Sequence, residues 1–425
     1  MKIRLAYGKK GLFVELPDED YVEVIEPNFV PGLPDERETI WKSLRKPIAS
    51  PPLQTLVKSD DTVSIVFSDL TRPMPNGAVL PVLLEELSHI PRSNILLINA
   101  LGTHRPQTKE ELVEMLGRKV VENYRIIQHD CSDRKSLVYL GASSFGHPIW
   151  VNRAYMESSV RILTGLIEPH FFAGFSGGPK AVLPGVAGKE TILRNHGADM
   201  ISALRASWLI TEGNPIWEEI SEAAAMTNPT FLLNVTINPE KKITGVFAGD
   251  VWEAHAQGAD FVREVAKVPV DKLFDIVITT NSGYPLDLNL YQAVKGMSAA
   301  AQVVKEGGSI IVAAECRDGI PNHAEYGRIL KKASSPQEIL ETINSPGCPI
   351  QDQWEAQIQA LVQLKADVYV KSSFLTDRQI RDALLLPCHS IENTLKELQS
   401  KYGPRATICV LPEGPQTIPY VDAKS

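Results

Sequence analysis

Cysteine is scarce and scattered. Its five copies, Cys131, Cys316, Cys348, Cys388 and Cys409, form no C-x-x-C pair, so neither a disulfide framework nor a thiolate metal cage has support. A reducing, intracellular compartment is expected. The nine histidines include no H-x-x-x-H and no H-E-x-x-H spacing, so no multidentate protein metal site can be read from them. Positive charge is not in excess either. With 43 Lys and Arg against 51 Asp and Glu the formal charge is −8, which opposes a general affinity for polyanions and makes nucleic acid an unexpected partner. Long apolar runs are missing: nowhere do about 18 apolar residues follow one another. The opening MKIRLAYGKKGLFVELPDED is too interrupted by charge for a signal peptide. Cytoplasmic location with no membrane partner is the expectation, and no internal repeat or low-complexity segment stands out.

What remains is the composition of an ordinary folded protein, 44% apolar and 22% charged. Its 425 residues are enough for two domains or three. Short apolar, β-branched runs alternate with segments of helical spacing, the pattern of βαβ units around a parallel sheet. Strands are predicted over residues 62–67, 94–100, 125–128, 160–165 and 231–236, and again over 275–280, 309–314, 367–371 and 407–411. Runs such as NILLINA and DIVITT are apolar throughout, as for strands covered by helices on both faces. Thr108 and Glu111 form a capping box at the head of KEELVEML, and Gly117 stands where that helix should end. The proline-rich stretch 27–52 reads as a long connection with little regular structure. The fold class is therefore α/β, in two domains with mainly parallel sheets flanked by helices. A break in pattern near residues 265–272 sets the domains at 1–268, for cofactor binding and catalysis, and 269–425, for the substrate cleft. Whether the last ~20 residues return to the first domain is left open.

Each polar cluster with chemical potential follows a predicted strand. SDLTRP follows TVSIVF, GTHRP follows NILLINA, EPHFFAGFSGGPK follows VRILTGL, and SGYPLDLNLYQAVKG follows DIVITTN. Open α/β sheets bind ligands in the crevice beyond their strands' carboxyl ends, so the active site is expected in the interdomain cleft. His104 and His170 lie in tight turns there and suit proton exchange near neutral pH; two such groups on opposite faces of one carbon would serve inversion of a stereocentre. His89, His129, His147, His255, His323 and His389 have no comparable setting. Arg72 and Lys295 can anchor a carboxylate, the arginine through its fork and the lysine as a point charge. GFSGGPK, residues 174–180, resembles a phosphate cradle but is not a Walker A loop, because Pro179 separates Gly178 from Lys180 and Ala181 follows. It could equally be a structural turn, with Lys180 either covalent or a fixed charge. His196, in RNHGAD, could be a single metal ligand or a partner of a helix C-terminus.

These motifs together resemble the nickel-dependent lactate racemase family: SDLTRP at 68–73, GTHRP at 102–106, EPHFFAGFSGGPKAVLPG at 168–185, RNH at 194–196 and PLDLNLYQAVKGMSAA at 285–300. The resemblance implies a nickel-pincer nucleotide, a pyridinium-3-thioamide-5-thiocarboxylic acid mononucleotide nickel complex, tethered to Lys180 through a thioamide. Nickel would be held by two sulfurs and a carbon of that group and by His196, which explains why no protein-only metal site is legible. It further implies His104 and His170 as the acid/base pair and Asp69, Arg72, Tyr291, Gln292, Lys295 and Trp354 as substrate-site residues. Backbone N–H groups of Ser176, Gly177 and Gly178 are the expected contacts of the cofactor phosphate.

The implied activity is racemisation or epimerisation at C2 of a 2-hydroxy acid, lactate first, by hydride transfer through a 2-oxo acid. Malate or a larger 2-hydroxy or sugar acid is the near alternative. A phosphate-binding transferase or a non-catalytic organic-acid-binding protein is the distant one. Proteins that build and load the cofactor are expected partners, and the chain is expected as a monomer or weak homodimer.

Overall fold

The computed structural model describes residues 1–17, 19, 21–321, 325–345 and 350–422; His323, Cys348 and the end of the tail lie outside them. The chain forms two compact units, Phe29–Arg263 and a second made of Met1–Asn28 with Glu264–Ser425.

The Phe29–Arg263 unit is built on a six-stranded sheet in the order Ile243–Gly249, Phe231–Ile237, Val160–Leu166, Val63–Ser68, Ile95–Ala100, Arg125–Gln128. All neighbours are parallel except the first pair, an antiparallel hairpin at the edge. VSIVFS and VRILTGL are buried almost from end to end, which is why their sequences run apolar without alternation. Ile65, Phe67, Leu97, Ile162 and Phe231 pack against Val79, Leu80 and Leu83 of the helix Asn76–Glu86. Each such side chain contributes ~1.5–3 kcal/mol by leaving water. The Thr108–Glu111 capping box forms as its sequence says, and Gly117 closes that helix at φ +82°.

The second unit repeats the principle with six strands, all parallel, in the order Leu386–Pro387, Ala366–Lys371, Val304–Ala313, Phe274–Thr280, Ile408–Leu411, Val22–Val24. Every strand expected from the sequence is present within a few residues. Two expectations fail. The first 28 residues do not belong with the chain that follows them: Val22–Val24 pairs with Ile408–Leu411, and Leu5, Val14, Leu16 and Val22 share a core with Ile276, Ile278 and Val410. The boundaries therefore fall after Asn28 and Arg263 rather than at 268. The strand Ile408–Leu411 stays within this second sheet, and the tail strand Ile418–Val421 pairs with Lys267–Val270.

The proline-rich stretch is the other correction, because it holds the helix Glu36–Arg45. Asp35 caps it by accepting from the Glu38 N–H, acidic residues open it, basic ones close it, and Ile40 and Leu44, one turn apart, are fully buried. Cys131, Cys316, Cys388 and Cys409 are free and buried. No helix among the described residues is long and apolar enough to cross a membrane.

Candidate active site

The strand Val63–Ser68 delivers Asp69 at its carboxyl end, and the neighbouring strand Ile95–Ala100 delivers the turn carrying His104. The two side chains meet: His104 Nδ1 lies 2.8 Å from Asp69 Oδ2. A carboxylate only accepts, so Nδ1 carries the hydrogen, which in the neutral form of the ring leaves the lone pair on Nε2. Thr71 Oγ1 donates to Asp69 Oδ1 at 2.9 Å and in turn accepts from Arg72 Nη1 at 2.9 Å. Burial pulls the Asp69 carboxyl upward, yet His104 beside it, with Arg72 and Thr71, wins and holds it below the usual carboxylate range. Asp69, placed by the resemblance in the substrate site and there expected to orient a histidine or Arg72, directs its two oxygens to Thr71 and His104. Arg105 is also drawn elsewhere, onto Glu111 by a two-pronged contact of 2.7 and 2.8 Å at the head of a helix.

A second group surrounds Phe172. The short strands Pro169–His170 and Gly174–Phe175 pair antiparallel, and in the turn between them the Ala173 N–H donates to His170 Nδ1 at 3.2 Å. The neutral His170 ring so held carries its hydrogen on Nε2, the reverse of His104. The Phe172 ring meets His170 and His196 edge-on, with centroids 4.5 and 5.1 Å away, and Lys180 Nζ stands 5.7 Å over it. His196 caps the helix Lys189–Asn195. Burial, reinforced by the Lys180 charge, pushes its imidazole well below its usual pKa, so it is neutral.

The loop bearing Lys180 is pinned from beneath. Gly178 N–H donates to Asn234 Oδ1 at 2.7 Å, and His255 Nε2–H donates to the Ser176 carbonyl at 2.9 Å while its ring stacks on Trp217. Gly177 and Gly178 have φ of +75° and +52°, and a Cβ there would stand 2.6 Å from Asn234 Oδ1 and 2.4 Å from His255 Cδ2. Only glycine fits. This corrects the phosphate-cradle reading for two of its three donors, since Ser176 N–H goes to the Glu168 carbonyl at 2.9 Å and Gly178 N–H to Asn234. Sequence reasoning missed Asn234 and His255. The available signal was an asparagine inside the otherwise apolar strand FLLNVTI.

The other expected residues lie in the second unit, on or against the helix Leu290–Ala301, which Asn289 caps. Gln292 and Lys295 share one face one turn apart, with Lys295 Nζ donating to Gln292 Oε1 at 2.9 Å. Trp354 Nε1–H donates to the Tyr291 hydroxyl at 2.7 Å, and Tyr291 packs edge-on against Tyr326 at 5.5 Å.

Among the described residues no group of three or more His, Cys, Asp or Glu could hold a metal ion. A neutral buried imidazole and an amine around one aromatic ring nevertheless suit a group that arrives with most of its own metal ligands and needs one nitrogen donor and one attachment point.

Comparison with known proteins agrees with this architecture. The family model "Lactate racemase N-terminal domain" matches residues 7–208, and "Lactate racemase C-terminal domain" matches 270–418. Lactate racemase of Thermoanaerobacterium thermosaccharolyticum is 36% identical over 422 residues, 98% of either chain. That of Lactiplantibacillus plantarum is 38% identical over 417 residues, 97% of this chain and 98% of the relative. The structure of the lactate racemase apoprotein from T. thermosaccharolyticum superimposes with a TM-score of 0.91 at 36% identity, covering 99% of this chain and all of the other. A Thermotoga maritima protein, with a TM-score of 0.73 at 19% identity over 93% of this chain and all of its own, shares the fold. The protein is thus an isomerase, a racemase of α/β architecture. The chain belongs to the lactate racemase family.

Proposed function

We propose that the chain interconverts the enantiomers of lactate, inverting C2 by way of the planar 2-oxo acid. The observation that carries this reading is the Asp69–His104 pair, 2.8 Å apart on a buried carboxylate, because binding an organic acid requires no base with a fixed tautomer. A nickel-pincer nucleotide joined to Lys180, its metal on the neutral His196, would supply the acceptor and donor of the C2 hydride.

The chain's own residues then manage one proton and one carboxylate. His104 Nε2 would take the hydroxyl proton of the 2-hydroxy acid, and Asp69, kept ionised, would steady the resulting imidazolium. On the other face of C2 the second histidine, His170, would supply the proton that the oxygen needs to give the mirror image. His170 must release the Ala173 N–H to hold a proton on both ring nitrogens. With Nδ1 accepting from Ala173, the neutral ring could offer a substrate oxygen only its Nε2–H. Arg72, braced by Thr71, takes the substrate carboxylate. Tyr291, Gln292, Lys295 and Trp354 are assigned to the substrate as well.

Protein purified from a host that makes the cofactor should show a mass adduct on Lys180 and about one nickel per chain, and should turn L-lactate into D-lactate on chiral chromatography. Lys180→Ala should remove adduct, nickel and activity together. Lactate racemisation by Lys180→Ala would overturn the reading, and a panel of other 2-hydroxy acids, malate included, shows whether lactate is the preferred substrate.

A further inference from the structure

Among the described residues, outside the groups described above, the most completely buried carboxylate belongs to Glu219, on the helix Pro215–Met226, with no side-chain exposure at all. Three donors converge on it. Ser143 Oγ and His147 Nδ1 reach Oε1 at 2.6 and 2.8 Å, and Asn195 Nδ2 reaches Oε2 at 2.9 Å. Asn195, fully buried, also donates to the Ile216 carbonyl at 3.2 Å. Its amide therefore clamps the last turn of the helix Lys189–Asn195 to two points on the helix Pro215–Met226. The next residue is His196.

A buried carboxylate is costly to desolvate, and apolar packing joins two helices at lower cost. What such a carboxylate adds is a fixed orientation: it can stop the end of a short helix from rotating about its axis or fraying. The His196 N–H donates back into that helix, to the Ile192 carbonyl at 2.9 Å, so its backbone is part of the turn that Asn195 clamps. The point from which its imidazole projects is therefore set by the turn that Asn195 fixes, with the Phe172 ring edge-on beside it.

We propose that Glu219 is a positioning residue for His196, acting through Asn195 to aim the imidazole at the metal. The proposal rests on the reading of His196 as the nickel ligand. Residues that orient a metal ligand from behind commonly govern metal affinity by about 10–100-fold.

The test uses full-length protein loaded in a cofactor-producing host, as wild type and as Glu219→Gln, Asn195→Ser and Ser143→Ala. Three quantities are followed: nickel loss to excess EDTA, the Lys180 adduct by intact mass, and the unfolding temperature. Glu219→Gln and Asn195→Ser should retain the adduct and release nickel about 10–100-fold faster. Ser143→Ala, which removes one support of Glu219 but spares the Asn195 contact, should lose some thermal stability with nickel release unchanged. Release that follows unfolding temperature across all three variants, or that changes in none, overturns the proposal, because a merely structural carboxylate predicts one or the other. If Glu219→Gln does not fold, the contrast between Asn195→Ser and Ser143→Ala decides. A wild type lacking nickel or adduct refutes the ligand assignment itself, and the positioning role falls with it.

Discussion

Asp69 stays ionised although its exposure is only 3%, and at the residue scale the proposed proton transfer turns on this. An amide in its place would still accept a hydrogen bond at one end, but it could neither enforce Nδ1–H on His104 nor balance an imidazolium. Asp69→Asn should therefore lower kcat by about 10²–10⁴-fold, with the Lys180 adduct and nickel retained, as measured by racemisation rate beside intact mass. The motifs SDLTRP and GTHRP made both residues legible, because each directly follows an apolar strand. A role for Asp69 in orienting a histidine or Arg72 was a reading the sequence allowed; which histidine it holds, and through which nitrogen, shows only in the geometry. Asn234 and His255 were harder still. Neither sits in a loop with special residues, and their purpose appears only when the loop bearing Lys180 is laid over them.

That loop and its supports set the behaviour of single elements. His255 is fully buried, donates to the Ser176 carbonyl, and burial pulls its pKa down to about 4 from an ordinary 6.5. In the unfolded chain the same ring takes up its proton first as the pH falls. Its contribution to stability is present above pH 6.5 and is lost as the pH falls toward 4, by on the order of 3 kcal/mol. His129 and His196, also pulled down by burial, add losses of the same sign. His255→Gln keeps a donor for Ser176 without the ionisation, so its unfolding temperature should fall less steeply than wild type between pH 6.5 and 4. An identical slope would contradict this account. At the same scale the helix Glu36–Arg45 escaped sequence reading because flanking prolines dominate its neighbourhood. Its own cues, Asp35 as cap and Ile40 with Leu44 on one face, were present but outweighed.

At the scale of the whole molecule, the alternation of strand and helix disclosed two parallel α/β units but not how the N-terminus is used. A three-residue strand, Val22–Val24, carries too little pattern to be recognised alone, and its partner Ile408–Leu411 lies almost the full chain away. Removing Met1–Asn28 would withdraw Leu5, Val14, Leu16 and Val22 from a shared core, each worth ~1.5–3 kcal/mol. It would also expose the edge of Ile408–Leu411. The shortened chain should aggregate or show the Glu264–Ser425 portion rapidly cleaved in limited proteolysis while Phe29–Arg263 resists. Equal resistance of both portions would show that the N-terminal strands are dispensable.

The central claim, that hydrogen leaves C2 as a hydride and returns to its opposite face, is tested most directly by giving the loaded protein L-lactate deuterated at C2 in ordinary water. The D-lactate formed should keep its deuterium at C2, and Lys180→Ala should form none. D-lactate whose C2 hydrogen comes from the solvent would contradict the account, because a proton removed to a histidine exchanges with water and a hydride does not.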